Sequence, residues 1–155
     1  MYKAILACGL AIAALAIPAS ADTPASQLQY FIGTWNCIVH AGQITFTVNE
    51  SIAVMPGGAW LHETATDSEK NQPVATEDNY LGYDTRNSRY VLLGITSLGT
   101  YYVSTSSSTT LNGSKWQSAF PTGTSDTLTE DSSTRYTIDG VDAGGATTQQ
   151  VCTRQ

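Results

Sequence analysis

Glu50 is the side chain whose type and position are best suited to chemistry in this sequence. It lies in the stretch 44–54, where apolar and polar residues alternate with the period of two that predicts a β-strand. Glu50 has the parity of the apolar residues, which are Ile44, Phe46, Val48, Ile52 and Val54. Burial among them would raise the pKa of the carboxyl group and make it an acid or a hydrogen-bond donor to a ligand. The alternative is a bend or bulge that brings Glu50 to solvent at the rim of the fold.

The turn after this strand decides whether a histidine or a second carboxyl group accompanies Glu50. A three-residue loop at 56–58 pairs Ile52 with His62, whereas a two-residue loop at 57–58 brings Glu63 opposite Ile52. A shift of one residue in register moves every side chain of a strand to the other face of the sheet. His62 or Glu63, but not both, therefore shares the interior with Glu50.

Tyrosines on other predicted strands add groups that can contact a ligand. Tyr80 and Tyr102 are our candidates, since a tyrosine packs its ring in an apolar wall and presents a hydroxyl group beside it. Glu50, His62, Tyr80 and Tyr102 form the predicted ligand-binding set. No nucleophile motif, phosphate loop or dinucleotide fingerprint occurs, so we assign no catalytic residue. The two histidines, His40 and His62, lack metal-site spacing, and no metal is predicted.

The N-terminus and the cysteines indicate an exported protein. Residues 1–21 combine a basic start, an apolar run at 4–17 and a small-residue site ending at Ala21, which predicts a cleaved secretory signal peptide. Cys37 and Cys152 would then meet an oxidising compartment, where one disulfide is the expected outcome. Two free thiols or a metal pair are the alternatives. We expect a periplasmic or extracellular location.

The charge of the chain narrows the classes of partner. Its net charge of −6 and the lack of a Lys/Arg cluster argue against nucleic acid and against an anionic membrane surface. The apolar run at 4–17 is short for a membrane span and no second run follows, so we expect no membrane association after cleavage. A small molecule is the expected partner, and the sequence leaves the oligomeric state open.

The elements that must position these residues are almost all strands. A short helix is predicted at 23–31, where Thr23 can cap it and Pro24 fits its first position. About ten strands follow, separated by recurrent turn residues. We place them at 34–40, 44–54, 60–67, 74–83, 90–97, 101–107, 115–120, 125–130, 135–139 and 146–153. The segment 105–110 is so rich in Ser and Thr that a loop is the alternative there. Residues 22–155 thus form one all-β domain.

The two ends of this domain predict how it closes. If Cys37 and Cys152 are opposite residues of neighbouring antiparallel strands, Trp35 lies opposite Arg154, because antiparallel partners run in opposite directions along the chain. Side chains two residues apart share a face, so the guanidinium group would stack on the indole ring. Pairing of the first strand with the last predicts a closed antiparallel up-and-down β-barrel.

Three motifs carry a resemblance to a known family: "FIGTW" (31–35), "PGGAWLHE" (56–63) and "YLGYDTRNSRYV" (80–91). With the Arg on the final strand, the chain resembles the lipocalin and calycin superfamily, and its middle resembles the DUF1579 group of lipocalin-like proteins, related in style to nitrobindins. The resemblance implies a β-barrel with an internal cavity for an apolar or mixed ligand, and a Trp packed under a basic residue at one barrel end. Nitrobindins hold haem through a His near the C-terminus, and the last part of this chain has none, so no cofactor is expected and haem is kept only as a disfavoured alternative.

Three functions are compatible with these patterns. The first is an exported barrel that binds a small apolar or mixed ligand. The second is a small isomerase or cyclase that uses Glu50 with His62 or a Tyr as acid and base, which requires these groups to reach a common substrate atom. The third is a structural barrel whose interior is filled by side chains.

Overall fold

The computed structural model describes residues 23–70 and 72–155. The predicted signal peptide at 1–21 lies outside these residues. A four-residue α-helix, α1 (Pro24–Gln27), continues into a 3₁₀ helix, Leu28–Phe31, as the sequence predicts. The Oγ1 atom of Thr23 accepts a hydrogen bond from the backbone N–H of Ser26 (3.2 Å), which caps α1.

Ten strands follow the helical segment and form one closed antiparallel barrel. They are β1 (Gly33–Ala41), β2 (Ile44–Val54), β3 (Trp60–Glu69), β4 (Gln72–Asp84), β5 (Arg89–Thr96), β6 (Tyr101–Ser106), β7 (Lys115–Phe120), β8 (Thr122–Ser132), β9 (Arg135–Val141) and β10 (Thr147–Arg154). Each strand pairs with its neighbours in sequence, and β1 pairs with β10. The predicted fold class, strand number and closure are therefore confirmed. Within the described residues, no helix is long and apolar enough to span a membrane.

The seam between β1 and β10 has the predicted register. Cys37 lies opposite Cys152 and forms a fully buried disulfide with it, with 4.0 Å between the Cα atoms. Trp35 lies opposite Arg154, whose guanidinium carbon is 4.2 Å from the centre of the indole ring. The same guanidinium group donates hydrogen bonds to the carbonyl oxygens of Tyr30 and Ile32, which join the helical segment to the last strand.

This helical segment covers one end of the barrel, which we call the closed end. Its buried side chains, Leu28 and Phe31, pack with Trp35, Leu111 and Trp116 in the apolar core. Leu111 belongs to the long loop 107–114, and its backbone N–H donates to Gln27 Oε1 (2.8 Å). The opposite end is the open end, where the β5–β6 loop (97–100), the turn at Pro121 and the β9–β10 loop (142–146) lie.

Two loops refine the strand pattern. Asn112 and Gly113 form a tight turn, in which the Ser114 N–H donates to the Leu111 carbonyl oxygen (2.9 Å), and this turn ends the eight-residue loop 107–114. Leu111 is fully buried in the core at the closed end. The strands predicted at 115–120 and 125–130 leave a connection at 121–124, but the observed one is shorter, since β8 begins at Thr122 directly after Pro121. The segment 105–110 is strand only as far as Ser106.

Candidate functional site

The register of β2 against β3 decides which side chains face the barrel interior. Ile52 pairs with Glu63 and Glu50 pairs with Ala65, which is the register of the two-residue loop. Glu63 therefore faces inward with Glu50, and His62 faces outward.

The structure thus corrects the expectation that His62 and Tyr80 belong to an interior site. The two residues are partners on β3 and β4, and their rings stack on the outer face with 5.0 Å between centres. His62 Nε2 is 2.8 Å from Asp78 Oδ1, so the imidazole ring is held outside the barrel. The acid–base pair of Glu50 with His62 is excluded, because the sheet separates them. Tyr102 lies inside, and Glu50 takes the inner of the two positions that the sequence leaves open, since it is buried and no bulge brings it to the rim.

An apolar compartment of about 110 Å³ lies inside the barrel next to the closed end. Most of its wall is aliphatic or aromatic, and Glu63 and Asp126 each contribute a carboxyl group to it. The lining residues are Phe31, Ile52, Leu61, Glu63, Leu81, Leu92, Ser104, Trp116, Asp126, Leu128, Tyr136 and Ile138.

A polar compartment of about 220 Å³ adjoins it and shares Glu63, Leu92, Tyr136 and Ile138. The rest of its lining is Val39, Phe46, Val48, Glu50, Ala65, Asp67, Glu77, Asn79, Tyr102 and Gln150. Four carboxyl groups line this one compartment.

The open end forms a wide mouth of about 700 Å³. It shares Leu92 with both inner compartments and Tyr102 with the polar one. Neither inner compartment alone reaches the ~300 Å³ at which drug-sized sites begin, whereas the mouth does. A ligand of that size would therefore extend from the interior towards the open end.

Glu50 is the most deeply buried carboxyl group of the site by surface area, with 5% of its surface exposed. Tyr136 Oη donates to Glu50 Oε2 (2.6 Å), and Gln150 Nε2 donates to Glu50 Oε1 (2.8 Å). Burial and the neighbouring Glu63 and Glu77 raise the pKa of Glu50 to about 8, although the two hydrogen bonds act in the opposite direction. The same burial, with the Glu50 charge, raises the pKa of Tyr136.

A second hydrogen-bonded group surrounds Asn79, which is 3% exposed. Its Nδ2 donates to Glu63 Oε1 (2.9 Å) and to Glu77 Oε2 (3.3 Å), and its Oδ1 accepts from Tyr102 Oη (2.8 Å). Burial raises the pKa of Glu63 to about 7, partly offset by the hydrogen bond from Asn79. Gly94 makes room for this group, because a Cβ atom there would overlap the Tyr102 ring and Asn79 Oδ1.

Two further carboxyl groups lie on the inner face. Burial and the nearby Glu77 raise the pKa of Asp67 to about 6, and burial raises the pKa of Asp126. Acids with pKa values near neutrality can exchange protons with a substrate or donate hydrogen bonds to a ligand.

Several of these residues carry no assignment from the sequence. Glu63 is one of two open alternatives there, and the side chains of Glu77, Asn79, Asp126, Tyr136 and Gln150 are missed. Strand register carried from one strand to the next would find them, because each lies opposite a residue of the inner face on a neighbouring strand. Asn79 lies opposite Glu63, and Tyr136 lies opposite Cys152.

The residues present do not favour a metal or a haem. In the described part of the chain, the one group of metal-binding side chains that converges is Cys37, Glu50 and Cys152, and its two sulfur atoms are bonded to each other. Both His40 and His62 are absent from the residues that line the three compartments, so no imidazole there could hold haem iron.

Comparison with known proteins supports the fold. The chain is similar to a redesigned β-barrel named b11L5F_LGL, with 18% identity and a TM-score of 0.51 over 88% of this chain and 99% of that one. It is also similar to a de novo designed fluorescence-activating β-barrel, with 12% identity and a TM-score of 0.52 over 82% and 95% of the two chains. A third structure, EF1p2_mFAP2b bound to DFHBI, has 12% identity and a TM-score of 0.51 over 86% and 100%.

At these identities the similarity shows the fold alone. No protein-family model and no curated protein matches the chain. The resemblance to the DUF1579 group therefore stays a prediction.

Proposed function

We propose that this protein is an exported barrel that binds a small molecule of mixed polarity in its interior. The observation that carries the proposal is the pair of adjoining inner compartments, one apolar and one lined by carboxyl groups, that meet a wide mouth at the open end. A barrel whose interior is filled by side chains would have no such inner compartments. The disulfide across the seam is consistent with an oxidising, extracytoplasmic location.

The composition of the two compartments supports a mixed ligand. An apolar body gains from leaving water next to Leu61, Leu81 and Leu128, and polar atoms of the ligand would face Glu50 and Asn79. A similar fold in EF1p2_mFAP2b is described with a small molecule bound. The lipocalin-like resemblance points to the same class of function.

The proposal is tested by titration with N-phenyl-1-naphthylamine, an apolar dye whose fluorescence increases in apolar surroundings. Leu92 lines all three compartments, so the larger side chain of Leu92→Trp should occupy the space where they meet and abolish saturable dye binding. Leu93→Trp is the matched control, because Leu93 lies on the outer face of the same strand. Equal binding by the two variants, or no binding by the parent protein, would count against an interior site.

A second candidate is an enzyme that uses carboxyl and tyrosine groups for proton transfer. The observation that favours it is the Tyr136–Glu50 hydrogen bond of 2.6 Å beside Glu63, whose pKa is raised to about 7. A general acid and base near neutral pH are what such a reaction needs. Deuterium exchange of acidic C–H bonds in a bound ketone, lost in Glu63→Gln and retained in Asp78→Asn, would support it.

A further inference from the structure

In the described part of the chain, the charged groups that line the three compartments are all acidic. Among the described residues, those lining the three compartments include six carboxyl groups and not one Lys, Arg or His side chain. The six are Glu50, Glu63, Asp67, Glu77, Asp126 and Asp142. Basic side chains lie elsewhere: Arg154 packs at the closed end, and Lys70, Arg89 and Arg135 lie on the outside. The ionised members of this set would repel an anionic ligand, and no basic side chain among the lining residues would compensate.

The group around Asn79 has fewer side-chain N–H and O–H donors than carboxylate acceptors. Asn79 Nδ2 is shared between Glu63 Oε1 and Glu77 Oε2, and the single hydroxyl proton of Tyr102 lies within reach of both Glu77 Oε2 and Asn79 Oδ1. Within the described part of the chain, Glu63 Oε2 and Glu77 Oε1 accept no hydrogen bond from any residue. Both residues line the polar compartment, so these two oxygen atoms are acceptors available to a ligand.

The arrangement of these acceptors fits an organic cation better than a bare metal ion. A metal ion requires several ligand atoms that converge on one point. In the residues that the structure describes, no three carboxyl or imidazole groups of the interior approach each other that closely, since the one converging group contains the disulfide. An ammonium group instead carries three donors on a compact charge, and its carbon chain can extend into the neighbouring apolar compartment.

We infer that the barrel takes an organic amine: a primary or secondary ammonium group held by Glu63 and Glu77, with an apolar body directed towards Leu61, Leu81 and Leu128. This inference rests on the proposed function, since it names the ligand class of the same cavity. It predicts that carboxylic acids, such as fatty acids, bind more weakly than amines of the same chain length.

The test uses three probes with the same chain length and different head groups: n-octylamine, n-octanol and octanoate. Isothermal titration at neutral pH and low salt should give n-octylamine an affinity at least about tenfold tighter than n-octanol, with octanoate weakest. Raising the salt concentration should reduce the advantage of n-octylamine, because part of the attraction is between charges.

Matched variants locate the head group. Glu77→Gln should lower n-octylamine affinity about tenfold and leave n-octanol affinity unchanged, because the amide keeps the shape and removes the charge. Asp78→Asn is the control, since Asp78 is the next residue on β4 and lies on the outer face beside His62. It should change neither affinity.

The outcomes separate this inference from the proposed function. Equal binding of n-octylamine and n-octanol, or tightest binding of octanoate, would overturn the amine inference and leave a ligand-binding barrel. Loss of n-octylamine binding in Asp78→Asn but not in Glu77→Gln would place the amine on the outer face and overturn it as well. Failure of all three probes to bind would refute both.

Discussion

At the residue scale, the interior carboxyl groups show how a site departs from ordinary core packing. A buried carboxylate without a cation is unfavourable, and the fold retains Glu50 by giving it two hydrogen bonds and raising its pKa to about 8. A barrel built for stability alone would place an aliphatic side chain there. Keeping a titratable group at this position is consistent with a role in binding.

Glu50 should make the stability of the protein depend on pH. Its pKa in the folded protein is above that in the unfolded chain, so the folded state binds more protons between these values and loses stability as the pH rises from about 5 to about 8. The groups that face it, Glu63 and Glu77, favour the protonated form, while Tyr136 and Gln150 favour the carboxylate. Between pH 5 and pH 8, the free energy of unfolding of Glu50→Gln should therefore fall by roughly 2–4 kcal/mol less than that of the parent protein, as measured by chemical denaturation.

The parent protein at each pH is the reference for this variant. Asp67 and Glu63 also have raised pKa values, so some pH dependence should remain. Equal pH slopes for the parent and for Glu50→Gln would show that Glu50 is not buried as described.

Gly94 is a residue whose lack of a side chain shapes the site. Gly94→Ala should destabilise the fold by about 1–3 kcal/mol, because its Cβ atom would overlap the Tyr102 ring, which hydrogen bonds fix in place. Gly82→Ala is the matched control on β4. Its Cβ atom would overlap the Trp60 ring, but that ring lies on the outer face, where it can turn towards solvent.

Thermal unfolding measures both glycine variants. The expected result is a clearly lower melting temperature for Gly94→Ala than for Gly82→Ala. The reverse order would show that the Tyr102 ring is free to move.

At the element scale, the seam between β1 and β10 can be predicted from the sequence because a few residues constrain it. Two cysteines at opposite ends of the chain set one pairing, and the period of two then places Trp35 against Arg154. The centre of β2 is also predictable from its alternation, although Ile44 and Val54 at its ends are exposed. Strand ends extend beyond the core, and alternation alone does not show where the core stops.

Other elements have weaker patterns. On β4, Glu77, Asp78 and Asn79 are consecutive polar residues, so parity along this segment carries no hydrophobic contrast. Gln150 lies in β10, where residues 147–150 are consecutive polar residues with the same difficulty. The face of His62 depends on one residue of loop length, which the Pro-Gly-Gly sequence at 56–58 leaves open.

Replacing Arg154 at the seam should destabilise the protein more than replacing an exposed arginine. Arg154→Gln removes the stacking on Trp35 and the charged donors to the carbonyl groups of Tyr30 and Ile32, and should lower the free energy of unfolding by about 2–4 kcal/mol. Arg135→Gln is the control, because Arg135 forms an exposed ion pair with Asp131 and should change stability by less than about 1 kcal/mol. Urea denaturation measures both, and equal effects would contradict the closure described.

At the scale of the whole molecule, the two barrel ends have different roles. The closed end is filled by the helical segment, Leu111, Trp116 and the Arg154–Trp35 stack, so stability is concentrated there. The open end leaves the mouth accessible, and the carboxyl groups lie between the two. Aromatic and aliphatic residues thus fill the closed end of the barrel, and the compartment lined by carboxyl groups lies towards the open end.

The central claim is that a small molecule enters this interior, and methyl NMR of the leucine residues tests it most directly. During titration with n-octanol, the methyl signals of the leucines that line the apolar compartment should shift and saturate; these are Leu61, Leu81, Leu92 and Leu128. Those of Leu93, on the outer face of β5, should not. Shifts confined to Leu93, or no saturable shift at the four inner residues, would contradict the claim.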